Sequence, residues 1–186
     1  MSLDADRRRL LDLLRTLSFE RRKVTLASGK ESDFYIDCKR TALTAEGHVL
    51  VGRLLFDRIR RLRPLPRAAG GLTLGADPLA SAVAYTSFLA GEPLDSFIVR
   101  KEPKGHGTGQ WIEGRKTIPD GSRVAVLEDV VTSGGSALKA IERCRAEKLE
   151  VVGCFALVDR MEGGREAIEA QGIPLDSIFT RGDFLG

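Results

Sequence analysis

The sequence predicts an α/β fold: a mainly parallel central sheet flanked by helices, with a small N-terminal hood. Three observations predict it. From Arg67 onward, short apolar runs alternate with helical patterns, the order of βαβ units. The run Val124 to Leu127 is apolar throughout, as in a strand covered on both faces. That run passes into Glu128-Asp129 and then Thr132-Ser-Gly-Gly-Ser136, a strand end opening through a Gly-rich turn into a helix.

Each element follows from local pattern. Asp4 to Leu17 places Leu10, Leu11, Leu13, Leu14 and Leu17 on or near one face, an amphipathic helix. Val24-Thr25-Leu26 and Phe34 to Cys38 flank Ala27-Ser-Gly-Lys30, a hairpin. Thr44, with Gly47 nearby, starts a helix running to about Leu62, and Pro64-Leu-Pro66 ends it. Arg67 to Gly71 is a short strand and Leu72 to Gly75 a turn. Pro78 to Leu89 is a helix with Pro78 near its first turn. Ser96 to Val99 is a strand, Arg123 to Asp129 the central strand, and Ser136 to Glu147 its helix. Val151 to Val158 is another buried strand, Glu162 to Ala170 a helix, and Ser177 to Thr180 a last short strand. There is no internal repeat and no linker long enough to split the chain. It reads as a single domain over 1–186: an N-terminal helix and hood hairpin over 1–40, and an α/β core over about 41–180.

Composition bounds the function. Hydrophobic residues make up 42% and charged residues 30%, which is globular rather than disordered. Net charge is +3, too small an excess to argue for nucleic acid, although arginines cluster at 7–9, 21–22 and 58–63. Those clusters read as solvated helix faces and a basic loop, against the sharper reading of a polyanion-attracting surface. Cys38, Cys144 and Cys154 have no CxxC spacing, which suggests reduced, mostly buried thiols in a cytoplasmic protein. No apolar segment is long enough for a membrane span and no signal-peptide pattern occurs.

The chemistry concentrates at residues 128–136. Backbone N–H groups and hydroxyls of Thr132, Ser133, Gly134, Gly135 and Ser136 can wrap a phosphate at a helix N-terminus. Carboxylates repel phosphate. The ligand must therefore also carry something carboxylates favour, a sugar diol or a magnesium ion. The spacing is neither GxxxxGK[ST] nor GxGxxG. An ordinary Gly-capped turn accounts for the glycines but not for two acids at a strand end, where charge is costly unless used.

A second segment, Arg100-Lys-Glu-Pro-Lys-Gly-His-Gly-Thr-Gly, crowds Arg100, Lys101, Lys104 and His106 into seven positions among glycines. A long Gly-rich loop inside a compact domain is a lid or a binding loop, and its charge suits a highly anionic ligand. A solvated loop is a credible reading for Lys101 alone and a weaker one for the set.

The acidic pair followed by TSGGS resembles the phosphoribosyl diphosphate (PRPP) motif of type I phosphoribosyltransferases. RKEPKGHG resembles the RK-x-x-K-x-HG catalytic loop of the orotate phosphoribosyltransferases within that fold. Ser28-Gly-Lys-Glu-Ser-Asp-Phe-Tyr35 resembles their hood, SG-x-x-S-x-[FY][FY]. The resemblance covers most of residues 20 to 165. It implies that Glu128 and Asp129 hold the ribose hydroxyls, and that Val130, Val131, Thr132, Ser133, Gly134, Gly135 and Ser136 hold the 5′-phosphate. It implies that Lys104 and His106 contact the diphosphate, with Arg100 and Lys101 adding charge. Phe34 and Tyr35 would cover the base, one in the core and one as an aromatic surface. Arg160 would take the orotate carboxylate, with Thr132 beside it; the plain alternative for Arg160 is a surface ion pair with Asp159. Lys104, His106 and Asp129 would be catalytic. The resemblance further implies Mg²⁺ carried mainly by PRPP, with no metal site of the protein's own, and a homodimer whose loop closes over the partner's site.

Two positions depart from the pattern. Ala27 and Leu74 stand where some members of the family carry lysines that help hold PRPP. Leu74-Gly-Ala-Asp-Pro78 looks like the variant turn of other members, which puts affinity for diphosphate in question more than the reaction. The expected activity is phosphoribosyl transfer from PRPP to orotate in pyrimidine biosynthesis. The alternatives are transfer to another base, or a PRPP-sensing regulator that binds nucleic acid.

Overall fold

The computed structural model describes residues 2–25, 31–103 and 109–185, the side chains of 22–25 and 31–33 excepted. Ser2 caps α1 (Leu3–Leu13), its side chain accepting from the Ala5 N–H. Leu14–Ser18 continues the helix as one wider, π-type turn. The widening has a local cause. The buried Thr41 hydroxyl binds the Ser18 hydroxyl at 2.7 Å and also donates to the Leu13 carbonyl, competing with the helix ladder there.

The hood is an antiparallel pair, β1 (Phe19–Thr25) and β2 (Glu31–Ile36), with Phe19 opposite Ile36. Its first strand begins five residues before the hydrophobic pattern of Val24-Thr-Leu26 indicates. A four-residue helix, α2 (Lys39–Ala42), follows and then α3 (Ala45–Ile59), capped by Thr44 through the Gly47 N–H.

The central sheet has six strands in the order β5-β4-β3-β6-β7-β8. These are β3 (Ala68–Leu72), β4 (Asp95–Val99), β5 (Ile112–Glu113), β6 (Arg123–Val131), β7 (Glu150–Asp159) and β8 (Leu175–Thr180). All pairings are parallel except β4 with the edge strand β5. Between them lie α4 (Asp77–Leu89), α5 (Gly135–Ala146) and α6 (Gly164–Glu169), and α7 (Gly182–Leu185) follows β8. The mainly parallel, helix-flanked sheet is the fold class the sequence predicts.

β6 shows why its sequence reads as a continuous apolar run. Ala125 and Leu127 enter the core beneath α1, α3 and α4, while Val124 and Val126 enter the core beneath α5. Both faces are covered, so no polar alternation survives. The chain leaves β3 toward β4 on one side, and leaves β6 toward β7 on the other. The strand order therefore switches between β3 and β6, and ligands of open α/β sheets bind outside the carboxyl ends at such a switch.

The hood is tied to the C-terminus through aromatic packing. Phe19 and Phe34 lie 4.9 Å apart by ring centroid, and each lies 5.6 Å from Phe184 of α7. Arg7 of α1 crosses the Phe179 ring at 4.7 Å and pairs with Asp183 at 2.7 Å. Neither β5, α2 nor α7 is legible in the sequence pattern; each is too short to show a period.

Candidate active site

β6 runs two residues past Asp129, so the acidic pair sits at the sheet's switch point rather than in the loop beyond it. The turn after it, Thr132 to Gly134, opens α5. Gly134 has φ +82°, a left-handed conformation that glycine adopts without strain. The turn is also held from behind. A Cβ on Gly164 would lie 2.5 Å from the Thr132 carbonyl and 2.8 Å from the Gly134 nitrogen, so α6 packs against it backbone to backbone.

Glu128, Val130, Val131, Thr132, Ser133, Gly134, Gly135, Ser136 and Lys139 line a cleft of about 250 Å³. Lys139, one turn into α5, adds a positive charge that no motif announces. The first N–H groups of α5 have no partner within the helix and suit an anion. The Val131 side chain is in the core, so its backbone is what it offers the cleft.

The two acids differ. Glu128 is buried, and among the described residues its Oε2 has no hydrogen-bond partner. Burial, then the charge and hydrogen bond of Asp129, hold its carboxyl well above the usual carboxylate range. Asp129 faces the β3–α4 turn and the hood. Its Oδ1 accepts from the Val130 N–H at 2.9 Å, and its Oδ2 lies 3.7 Å from Lys39 Nζ. Lys39 is a second residue that the motifs miss. The same turn contains the cis peptide Thr73–Leu74, and Leu74 is exposed.

Arg160 follows β7 at the same edge. It is 7% exposed, which excludes the surface ion pair with Asp159. Asp159 is taken instead by Arg165 at 3.0 Å, while Arg160 donates to Glu162 at 2.9 Å. Arg160 and Arg181 both lie over the Phe34 ring, at 5.4 and 5.7 Å. Of the expected pair, Phe34 is the core ring: it is fully buried among Phe19 and Phe184, so it is not the one that offers a face to a base. Tyr35, half-buried beside it, keeps that possibility.

The basic loop leaves β4 and returns through β5. Its base is closed by the Arg100 N–H on the Trp111 carbonyl at 2.9 Å and by Arg100 with Glu113 at 3.1 Å. Lys101 is exposed. Lys104 and His106 lie outside the described residues, as does Ala27. Among the described residues, no group of three or more His, Cys, Asp or Glu side chains could hold a metal. The carboxylates of Glu128 and Asp129 have the oxygen chemistry that a divalent cation prefers.

A phosphoribosyl transferase domain family matches residues 65–172. An orotate phosphoribosyltransferase of Sorangium cellulosum is 55% identical over 97% of this chain and 94% of its own. One of Aquifex aeolicus is 52% identical over 86% and 85%. The crystal structure of the Mycobacterium tuberculosis orotate phosphoribosyltransferase with Fe(III) dicitrate superposes with a TM-score of 0.84, at 41% identity, over 97% of this chain and 99% of that one. The same enzyme in complex with PRPP gives 0.80 at 40% identity, over 96% and 98%. Matched over nearly its whole length at such identity, the chain belongs to the orotate phosphoribosyltransferase family.

Proposed function

We propose that this chain transfers the 5-phosphoribosyl group of PRPP to N1 of orotate, giving orotidine 5′-monophosphate and diphosphate in pyrimidine biosynthesis. The observation that carries this is the meeting of three features at one switch point: the acidic pair, the phosphate-sized turn behind it, and a buried guanidinium just past the end of the next strand. The turn takes the 5′-phosphate and Asp129 the ribose hydroxyls. Glu162 takes one nitrogen of the Arg160 guanidinium and holds it at this edge, where it recognises the base carboxylate. Tyr35 and Thr132 complete the base pocket.

The base is already anionic, so the reaction needs no covalent nucleophile. The barrier lies in diphosphate departure, with oxocarbenium character developing in the sugar. Catalysis is then positioning and charge stabilisation in a closed site. Lys104 and His106 would serve the leaving group, with Arg100 and Lys101 beside them. Mg²⁺ carried by PRPP would supply Lewis-acid stabilisation when bound, beside the carboxylates of Glu128 and Asp129. A homodimer with shared sites would bring each loop to its partner, and exposed Tyr85, Phe88 and Leu89 on α4 support such a face.

The arginine clusters do not favour the regulator reading. Arg7, Arg9, Arg58, Arg60 and Arg61 are ion-paired with Asp183, Glu46, Asp176, Glu92 and Asp57. The reaction would occur in the cytoplasm. Three buried, unpaired thiols support this, the Cys144 thiol pushed up to about 12 by burial. Among the described residues no helix is long and apolar enough to cross a membrane.

Orotate consumption followed by absorbance, with PRPP and Mg²⁺, tests the proposal beside adenine, hypoxanthine and uracil. Orotate-specific loss is expected. Activity on another base would keep the PRPP site and remove the base assignment. PRPP binding without turnover of any base would bring the regulator forward.

A further inference from the structure

We infer that Lys39 is a diphosphate-binding residue of this site, supplying from the hood side the positive charge that Leu74 does not supply from the β3–α4 turn. The inference deepens the proposed function and rests on its assignment of Asp129 to the ribose.

Lys39 is the first residue of α2, three after the end of the hood strand β2. Its ammonium is held by Asp37 Oδ1 at 2.7 Å, and the Asp37 carboxylate also accepts from the Lys39 N–H at 3.3 Å. That clasp aims Nζ across the gap to Asp129 Oδ2, 3.7 Å away. Among the described residues, Lys39 is the cation ion-paired with the acidic pair. The next residue, Arg40, pairs with Glu20 at 2.6 Å and lies 3.8 Å from the other oxygen of Asp37. Lys39 is partly exposed, so its head can reach a ligand. An ammonium has three donors, and the short bond to Asp37 uses one of them.

The stereochemistry of the substrate makes this position useful. In an α-linked ribosyl diphosphate, the diphosphate at C1 lies on the same ring face as the 2- and 3-hydroxyls. A carboxylate holding those hydroxyls therefore stands beside the departing group. Leu74, exposed on the turn that abuts Asp129, brings no charge. Lys39 approaches the same carboxylate from α2 and can turn its remaining donors to a diphosphate oxygen. Burial opposes its charge, but the Asp37 hydrogen bond and the Asp129 and Asp37 charges outweigh burial and hold it above the ordinary lysine range. It arrives protonated at any working pH.

The test compares wild type, Lys39→Met and Lys39→Arg by steady-state kinetics. Calorimetric titration with inorganic diphosphate in Mg²⁺ buffer accompanies it. For Lys39→Met the KM for PRPP and the Kd for diphosphate should each rise about tenfold, the scale of one charge-assisted contact. The KM for orotate should stay within about twofold, and Lys39→Arg should recover most of the loss. If Lys39→Met lowers Tm while leaving diphosphate affinity unchanged, Lys39 only clips the hood to the core and the inference falls. It falls too if the KM for orotate rises in step with that for PRPP. Diphosphate binding needs no base. A wild type that ignores orotate would therefore overturn the base assignment and leave this reading to stand or fall on its own titration.

Discussion

Gly75 abuts Asp129: a Cβ built on Gly75 would lie 2.5 Å from Asp129 Oδ1 and 2.8 Å from its Cγ. The turn after β3 thus leaves room for the carboxylate on β6, and only a hydrogen at that position allows it. Gly75→Ala should push Asp129 off its place rather than break the fold, because the contact is with a side-chain end. The expected result is a KM for PRPP raised about tenfold or more, with Tm moved by no more than a few degrees. Steady-state kinetics and thermal denaturation check it. A variant with unchanged PRPP kinetics would remove Asp129 from ribose binding.

The acidic pair, the Gly-rich turn and the sheet around them were legible because each carries a local signature: a two-faced apolar run, charge at a strand end, glycine where φ is positive. What stayed hidden depends on contacts remote in sequence. Lys39 reaches Asp129 only because a four-residue helix, too short to show a period, redirects the chain after β2. Arg160 could be placed at the edge but not paired. Asp159 is drawn to Arg165 of α6, and that left Glu162 as its partner. The spacing of Phe34 and Tyr35 could say that one ring is core and one is not. Which is which was decided by Phe184, at the other end of the chain.

Tyr85, Phe88 and Leu89 are 65%, 72% and 68% exposed on α4, a concentration of large apolar side chains that a monomer would leave in water. Leu43 is exposed just before the neighbouring α3, and Val49 is exposed within it. Phe88→Glu should convert a dimer to a monomer in light scattering. Activity should fall with it if each loop serves the other subunit. A dimer of unchanged mass would place the interface elsewhere.

Asp183 joins the two ends of the chain. It accepts from Arg7 at 2.7 Å and from the Thr180 N–H at 2.8 Å. Burial raises its pKa, but the Thr180 and Arg7 bonds outweigh this and leave it below the usual carboxylate value. A depressed pKa contributes stability that is present above the unfolded value and lost as pH falls through the folded one. Asp183→Asn should lower Tm at neutral pH by a few degrees, about 1 kcal/mol after solvent screening. The difference from wild type should shrink below about pH 4. A gap that persists in acid would assign the effect to geometry instead of charge.

Glu128 has the opposite sign. Burial and the neighbouring Asp129 raise its pKa well above the ordinary carboxylate range. The stability linked to its proton is therefore full below the unfolded value and is lost as pH rises through the folded one. In the ligand-free protein, Glu128→Gln removes the buried charge and keeps a donor for Asp129. Its Tm should exceed that of wild type by a margin that widens as pH is raised from about 5 to 8. One kcal/mol corresponds to roughly 2–4 °C in a domain of this size. The same variant should lose kcat/KM for PRPP, because a neutral amide cannot polarise a ribose hydroxyl as a carboxylate does. Gain in one measurement and loss in the other would mark Glu128 as a group that destabilises the empty fold and is kept for its charge. Loss in both would make it an ordinary structural residue.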